Sequence, residues 1–395
     1  MELKRAERYE PVAYNVLIGF DMNHFRHALS LLQKGLEEKL FSCASYCLMQ
    51  DGMIYVDGGI GTAQPDSSPP VPAALDTIFD MASITKPITA TLLVLSAERG
   101  ELHLGMRVRE FLPEAETAPC ANLTLRQLAT HTSGLPPWKP LYENPNESAL
   151  TQILATALET EPGTKYAYSD LGYILLGEIL QRVTGTPLDI LAQSQIFDPL
   201  DMRDTGYRPD ARLHPRIAAT ANCPWRKDKI LVGEVHDANC WSMGGVSGHA
   251  GLFSTAHDIA RFAAGTFAAQ AGSPYPKLFS WEAQRLMVAS QIPASVGGHS
   301  IGCFTVPNGM LPRGDFFSDT TFGHTGFTGT SMMHDPIDTT TIILLTNRVH
   351  SVQDGAKFLR LRWLFANAVS SSFRMNVATK APDISGDISD FNALD

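Results

Sequence analysis

Strand-like runs sit at the two ends of this chain, and helical periodicity fills the stretch between them. Near the N-terminus, "CASYCLMQ" and "MIYVDGG" flank Asp51-Gly52, a dipeptide suited to the tight turn of a hairpin. From Gly302 onward, "CFTV", "TGTSMMHD" and "TTIILLTN" again have strand character. Between about residues 88 and 265 the signals are helical: 88–99, "LTLRQLATH", 148–160, "LGYILLGEILQRVTG" and "STAHDIARFAAGTFAAQ", punctuated by Gly100, Gly134, Pro162 and Gly185. An amphipathic helix is expected over His24–Leu40 and a closing helix from about Asp354 to Ser371. Terminal strands around a helical block imply an α+β fold: one antiparallel sheet built from both chain ends, flanked by helices and interrupted by a mainly helical inserted domain. The expected division is a discontinuous sheet domain, 1–90 with 260–375, an inserted domain over 91–259, and an acidic tail over 376–395.

At 395 residues the chain is long enough to bury a core without disulfide or metal support. Forty-one acidic against 31 basic residues give a net charge of -10, which disfavours nucleic acid and anionic membrane surfaces as partners. No window approaches the roughly 18–20 apolar residues of a transmembrane segment. The opening "MELKRAERYEPVAYNV" lacks an apolar run of signal-peptide length. The default expectation is therefore a cytoplasmic protein, or a periplasmic or secreted one if a leader has been removed. Six cysteines, at 43, 47, 120, 223, 240 and 303, form no C-x-x-C pair and read as buried thiols. His236 and Cys240 in "HDANC" lack a second ligand pair, so no metal is expected, and nothing calls for a cofactor. Oligomeric state stays open.

Chemistry concentrates in "MASITKP", directly ahead of the apolar helical run "ITATLLVLSAERG". A helix start carries partial positive charge, so Lys86 is locally unfavourable there by a few tenths of a kcal/mol to about 1 kcal/mol. Ser83 alone would serve as an N-cap, but a capping box wants Glu or Gln three residues on, where this chain has Lys86. Alternatively Ser83 is a nucleophile, and Lys86, its ammonium form disfavoured by dipole and burial, accepts the serine proton. Further along, Tyr168-Ser169-Asp170 ends a Pro/Gly loop before a helix, where Ser169 or Asp170 could equally be a cap. In "FGHTGFTGTSMMHD", His324-Thr325-Gly326 precedes a strand-like run whose glycines would allow close backbone approach by a substrate.

In this order, S-x-x-K, Y-S-x and [HK]-T-G resemble the pattern of the serine β-lactamase and penicillin-binding-protein superfamily. The flanking stretches "LTLRQLATHTSGLP", "GGVSGHAGLFSTAHDIARF" and "FGHTGFTGTS" resemble the branch containing class C β-lactamases, D-alanyl-D-alanine carboxypeptidases and family VIII carboxylesterases, over roughly residues 30–370. The resemblance implies catalytic Ser83, Lys86 and Tyr168, an oxyanion hole from the backbone N–H groups of Ser83 and Phe327, and substrate-binding Asp170, His324, Thr325 and Gly326. It implies a serine hydrolase of small ester, amide or peptide substrates, working through an acyl-enzyme. Asp170 stands where β-lactamases usually have Asn, and His324 where class C enzymes have Lys, so weak or absent β-lactam hydrolysis is expected.

Two competing readings follow from the same residues. "GHSIG" at 298–302 fits a nucleophile elbow around Ser300, but Pro and Gly follow where that elbow needs a helix. Asp170 and His324 could also mark a catalytically impaired binding or sensing module, against which the complete Ser83, Lys86 and Tyr168 set argues.

Overall fold

The computed structural model describes residues 22–221, 223–268, 276–350 and 354–377. Residues 1–21 and the tail beyond Val377 lie outside the described residues. Among the described residues ten strands form two sheets. The larger has seven: β1 (Cys43–Gln50), β2 (Met53–Gln64), β3 (Val71–Pro72), β7 (Phe304–Thr305), β8 (Phe322–Thr325), β9 (Ser331–Asp335) and β10 (Thr340–Thr346), in the order β3-β2-β1-β10-β9-β8-β7. The two chain ends meet where β1 pairs antiparallel with β10, from Ala44 opposite Thr346 to Gln50 opposite Thr340. The β1–β2 hairpin turns at Asp51, whose φ is 51°, and Gly52, whose φ is 74°.

The period of two along these strands decides what covers each face. Ala44, Tyr46 and Leu48 of β1, with Ile342 and Leu344 of β10, pack under the helices Arg26–Glu37 and Gly355–Val377, against Phe25, Leu32, Phe365 and Phe373. Cys43, Cys47 and Met49, with Ile343 and Leu345, join the other core together with the helices Thr85–Glu98, Asp170–Thr184 and Ala256–Ala263. A sheet buried on both faces explains why "TTIILLTN" reads as one apolar run rather than alternating. The closing helix runs six residues further than expected, to Val377. All six cysteines are buried and unpaired. Among the described residues no helix is long and apolar enough to cross a membrane.

A second, three-stranded sheet was not foreseen: β4 (Phe79–Asp80), β5 (Gly206–Tyr207) and β6 (Leu252–Ser254), in the order β4-β6-β5. Its strands are two or three residues long, too short to leave a periodic signature. Strand β4 leads straight into "MASITKP" and so aims the functional segment.

Candidate active site

The turn before Ser83 is held on both sides. Asp80, buried in β4, accepts the N–H of Ala82 at 2.9 Å through one carboxylate oxygen and that of His236 at 2.7 Å through the other. Ala82 is thereby kept at φ 46°, a left-handed conformation rare for a residue with a Cβ. A 3-10 turn over Ala82–Ile84 follows, and the α-helix starts at Thr85, which places Pro87 in the first turn where its missing N–H costs nothing. Ser83 is therefore not the N-cap, and no side-chain cap bond exists at this helix start.

Lys86 is completely buried, and its Nζ lies 3.0 Å from Ser83 Oγ, 3.1 Å from the His249 carbonyl oxygen and 2.7 Å from Asp170 Oδ1. Burial pulls its pKa down, but the Asp170 carboxylate, together with Tyr168, outweighs burial and holds the ammonium above its ordinary value. This corrects the expectation of a neutral lysine: with a carboxylate in contact, the resting pair is ionic. Asp170 opens the helix Asp170–Thr184, a position that favours an anion, and its side chain is 18% exposed. Neither Ser169 nor Asp170 acts as a cap; the Ser169 hydroxyl donates to the Pro136 carbonyl at 2.6 Å.

The Tyr168 ring centroid lies 4.9 Å from Lys86 Nζ, and Lys86 and Ser83 both act on its phenol. Burial raises its pKa more than Lys86 lowers it, so it rests as a phenol. The loop carrying it is pinned along the segment 131–137: Ala167 N–H to the His131 carbonyl at 2.8 Å, Ser169 N–H to His131 Nδ1 at 2.9 Å, and Asp170 N–H to the Pro137 carbonyl at 2.9 Å.

His324 and Thr325 end β8, Gly326 lies just beyond it, and the strand-like run that follows forms β9, paired antiparallel with β8. The His324 side chain is buried, stacked on Phe304 at 4.4 Å, with Nδ1 on the Thr325 carbonyl at 2.9 Å. Burial, reinforced by the Lys86 charge, pushes its pKa well below the usual histidine range, so it is neutral. Its ring lies 5.9 Å from that of Tyr168, and the residue is fully buried. The loop after it is laced to the serine turn: Thr328 Oγ1 donates to the Asp80 carbonyl at 2.7 Å and Thr330 Oγ1 to the Met81 carbonyl at 3.0 Å. Phe327 lies in this loop, 56% exposed, with the Arg348 guanidinium over its ring at 5.0 Å.

Ser300 is buried and donates to the Met287 carbonyl at 2.5 Å, with neither strand before nor helix after it. His236 and Cys240 likewise serve carbonyls, those of Ala221 and Ala250. Sequence reasoning missed Asp80, His131, Asp237 and His249. His131 and His249 lie within the stretches "LTLRQLATHTSGLP" and "GGVSGHAGLFSTAHDIARF", whose likeness gave them no role. Asp237 binds His249 Nε2 at 3.0 Å and the Cys240 N–H at 2.7 Å, and these contacts outweigh burial to hold it at about 2. Asp170, Asp237 and His249 bring their ligand-type atoms within 4.8 Å of one another, but the cation in that cluster is the Lys86 ammonium.

A seven-stranded antiparallel sheet with helices on both faces, and a Ser–Lys pair at the mouth of a buried helix, define a serine hydrolase. The chain belongs to the Beta-lactamase family, whose model matches residues 29–367. A putative D-alanyl-D-alanine carboxypeptidase of Escherichia coli (strain K12) is 36% identical over 314 residues, covering 71% of each chain. In fold it is similar to a penicillin-binding protein homolog from Caulobacter crescentus, with a TM-score of 0.70 at 19% identity over 90% of this chain and 99% of that one. It is also similar to EstCE1, a hydrolase with promiscuous acyltransferase activity, with a TM-score of 0.70 at 19% identity over 88% and 98%.

Proposed function

We propose that this chain hydrolyses ester or amide bonds through a covalent acyl-enzyme on Ser83, as a carboxylesterase or D-amino-acid peptidase. The observation that carries the reading is the contact of the buried Lys86 Nζ with Ser83 Oγ at 3.0 Å, with the Tyr168 ring centroid 4.9 Å from the same Nζ. Ser83 Oγ attacks the carbonyl carbon, and the oxyanion forms toward the N–H groups of Ser83 and Phe327. Tyr168 gives its proton to the leaving group, and water then releases the acyl group by the same route in reverse. The name of the Escherichia coli relative supports the peptidase arm. β-Lactams are poor substrates in this reading, because the His324 side chain in β8 is a buried neutral imidazole rather than an exposed cation.

A fluorophosphonate probe tests the assignment. Labelling of the wild type that Ser83→Ala abolishes and Ser300→Ala leaves intact is the expected result. Folded wild type that takes no label would instead establish a binding module, and label lost on Ser300→Ala would move the nucleophile.

A further inference from the structure

In the resting site Lys86 has no lone pair with which to act as a base. Its ammonium donates to Ser83 Oγ at 3.0 Å and to the His249 carbonyl oxygen at 3.1 Å, and makes an ion pair with Asp170 Oδ1 at 2.7 Å. A proton arriving from Ser83 can enter only as another leaves. Hydroxyl and carbonyl oxygens are very weak bases, whereas a carboxylate takes a proton readily. An amide at position 170 could hydrogen-bond Lys86 but could take no proton from it.

Building on the serine-hydrolase reading above, we propose that Asp170 is the proton acceptor for acylation of Ser83, reached through Lys86. As the Ser83 Oγ–H bond breaks and Oγ bonds to the carbonyl carbon, the serine proton passes to Lys86 Nζ. One of the protons already on Nζ passes to Asp170 Oδ1. The carbonyl π pair moves onto oxygen, so the carboxylate loses its charge as the oxyanion gains one. On collapse the bond to the leaving group breaks and the leaving group takes the Tyr168 proton. The phenolate is refilled from Lys86, which recovers its proton from Asp170, and every group is back in its starting state.

The surroundings suit this path. The titratable groups around Asp170 are Lys86 from the serine helix, Tyr168 from its own loop, and Asp237 and His249 from the segment after β5. Asp237 stays anionic, held by His249 Nε2 and the Cys240 N–H, so a negative charge remains in the cluster when Asp170 is neutralised. The path is short, because Nζ is within hydrogen-bonding distance of both Ser83 Oγ and Asp170 Oδ1 without any rearrangement.

The test is stopped-flow acylation by p-nitrophenyl acetate, per probe-titrated serine, from about pH 5 to pH 10 in H2O and D2O mixtures. Asp170→Asn should acylate about a hundredfold more slowly at pH 7, with KM within about threefold of wild type. Its rate should recover only at higher pH, where Lys86 itself loses a proton. Asp170→Glu should keep the wild-type profile and recover to within about tenfold. A bowed proton inventory in wild-type acylation, two protons in flight, is expected and needs no variant to fold. An Asp170→Asn rate within about threefold of wild type on an unchanged pH profile overturns the proposal, as does a linear inventory. Wild type that the probe does not titrate removes the serine-hydrolase reading and this proposal with it; titratable wild type with an unaffected Asp170→Asn removes this proposal alone.

Discussion

His131 and Tyr168 lie ring against ring with centroids 4.4 Å apart, and the same imidazole accepts the Ser169 N–H through Nδ1 at 2.9 Å. That bond fixes the tautomer, leaving the proton on Nε2. His299, 4.8 Å from His131, and His324 each place Nδ1 on a backbone carbonyl. Burial pushes all three well down, His299 to about 4, so the wall behind Tyr168 is uncharged at neutral pH. A charged wall would compete with Lys86 for the same phenol.

His131→Phe keeps a ring in place and removes the acceptor. It leaves the Ser169 N–H unpaired in a buried setting, a cost of about 1–3 kcal/mol in chemical denaturation. The Tyr168 loop loses its anchor, so kcat should fall tenfold or more, up to roughly a hundredfold, with little change in KM. His131→Asn, which restores an acceptor, should recover most of the rate. A variant whose melting temperature falls while kcat per titrated serine stays at the wild-type value would show that His131 acts on stability alone.

Gly326 packs closely between the loop after β8 and the serine turn. A Cβ there would lie 2.1 Å from Thr330 Oγ1 and 2.5 Å from the Met81 carbonyl oxygen, the pair that laces the two segments together. Gly326→Ala should push the Phe327 N–H out of line with that of Ser83 and lower kcat by roughly a hundredfold, the usual loss for one oxyanion donor. Probe labelling should slow in proportion, and an unimpaired rate would take Phe327 out of the oxyanion hole.

The sheet and the candidate site residues were legible in the sequence because both rest on local signals. β1, β2 and β10 are long enough for their apolar runs to be read, and Ser83, Lys86, Tyr168 and His324 sit in short motifs. The rest arises from contacts far apart along the chain. Lys86 looked neutral because its charge depends on Asp170, 84 positions away, which no periodicity connects to it. His324 looked accessible because its burial depends on stacking against Phe304. Asp80 carried no sequence signal at all, yet its two bonds hold the turn at Ala82 and hence the aim of Ser83.

Asp258, in the first turn of the helix Ala256–Ala263, gives a stability prediction with a sign. Burial raises its pKa from 3.8 to about 6, despite bonds from Thr205 Oγ1 at 2.8 Å and the Asp204 N–H at 2.8 Å. The folded state therefore holds this proton more tightly than the unfolded chain. The stability it contributes is fully present below pH 3.8 and is lost as pH rises through about 6. At about 1.4 kcal/mol for each pH unit crossed, the loss is roughly 3 kcal/mol. Asp258→Asn does not ionise, so its stability relative to wild type should improve by about that amount between pH 4 and pH 7 in urea melts. A difference that stays flat with pH would mean Asp258 is charged at no cost in the fold.

Lys86 and Asp170 allow stability and rate to be separated in one cycle. Lys86→Met alone leaves the Asp170 carboxylate, 18% exposed, without its cation, and removing one partner of a buried pair costs about 3–5 kcal/mol. Asp170→Asn alone leaves a fully buried ammonium facing an amide, a smaller loss because the amide oxygen still accepts a hydrogen bond. Lys86→Met with Asp170→Asn removes both charges, and its stability should return to within about 1–2 kcal/mol of wild type, since a buried ion pair replaced as a pair is often close to neutral. Its acylation rate should stay at least about a hundredfold down, because neither a donor to Ser83 nor an acceptor behind it remains. Recovery of stability without rate is the result that marks this pair as built for proton transfer; recovery of both would assign the serine proton to Tyr168 alone.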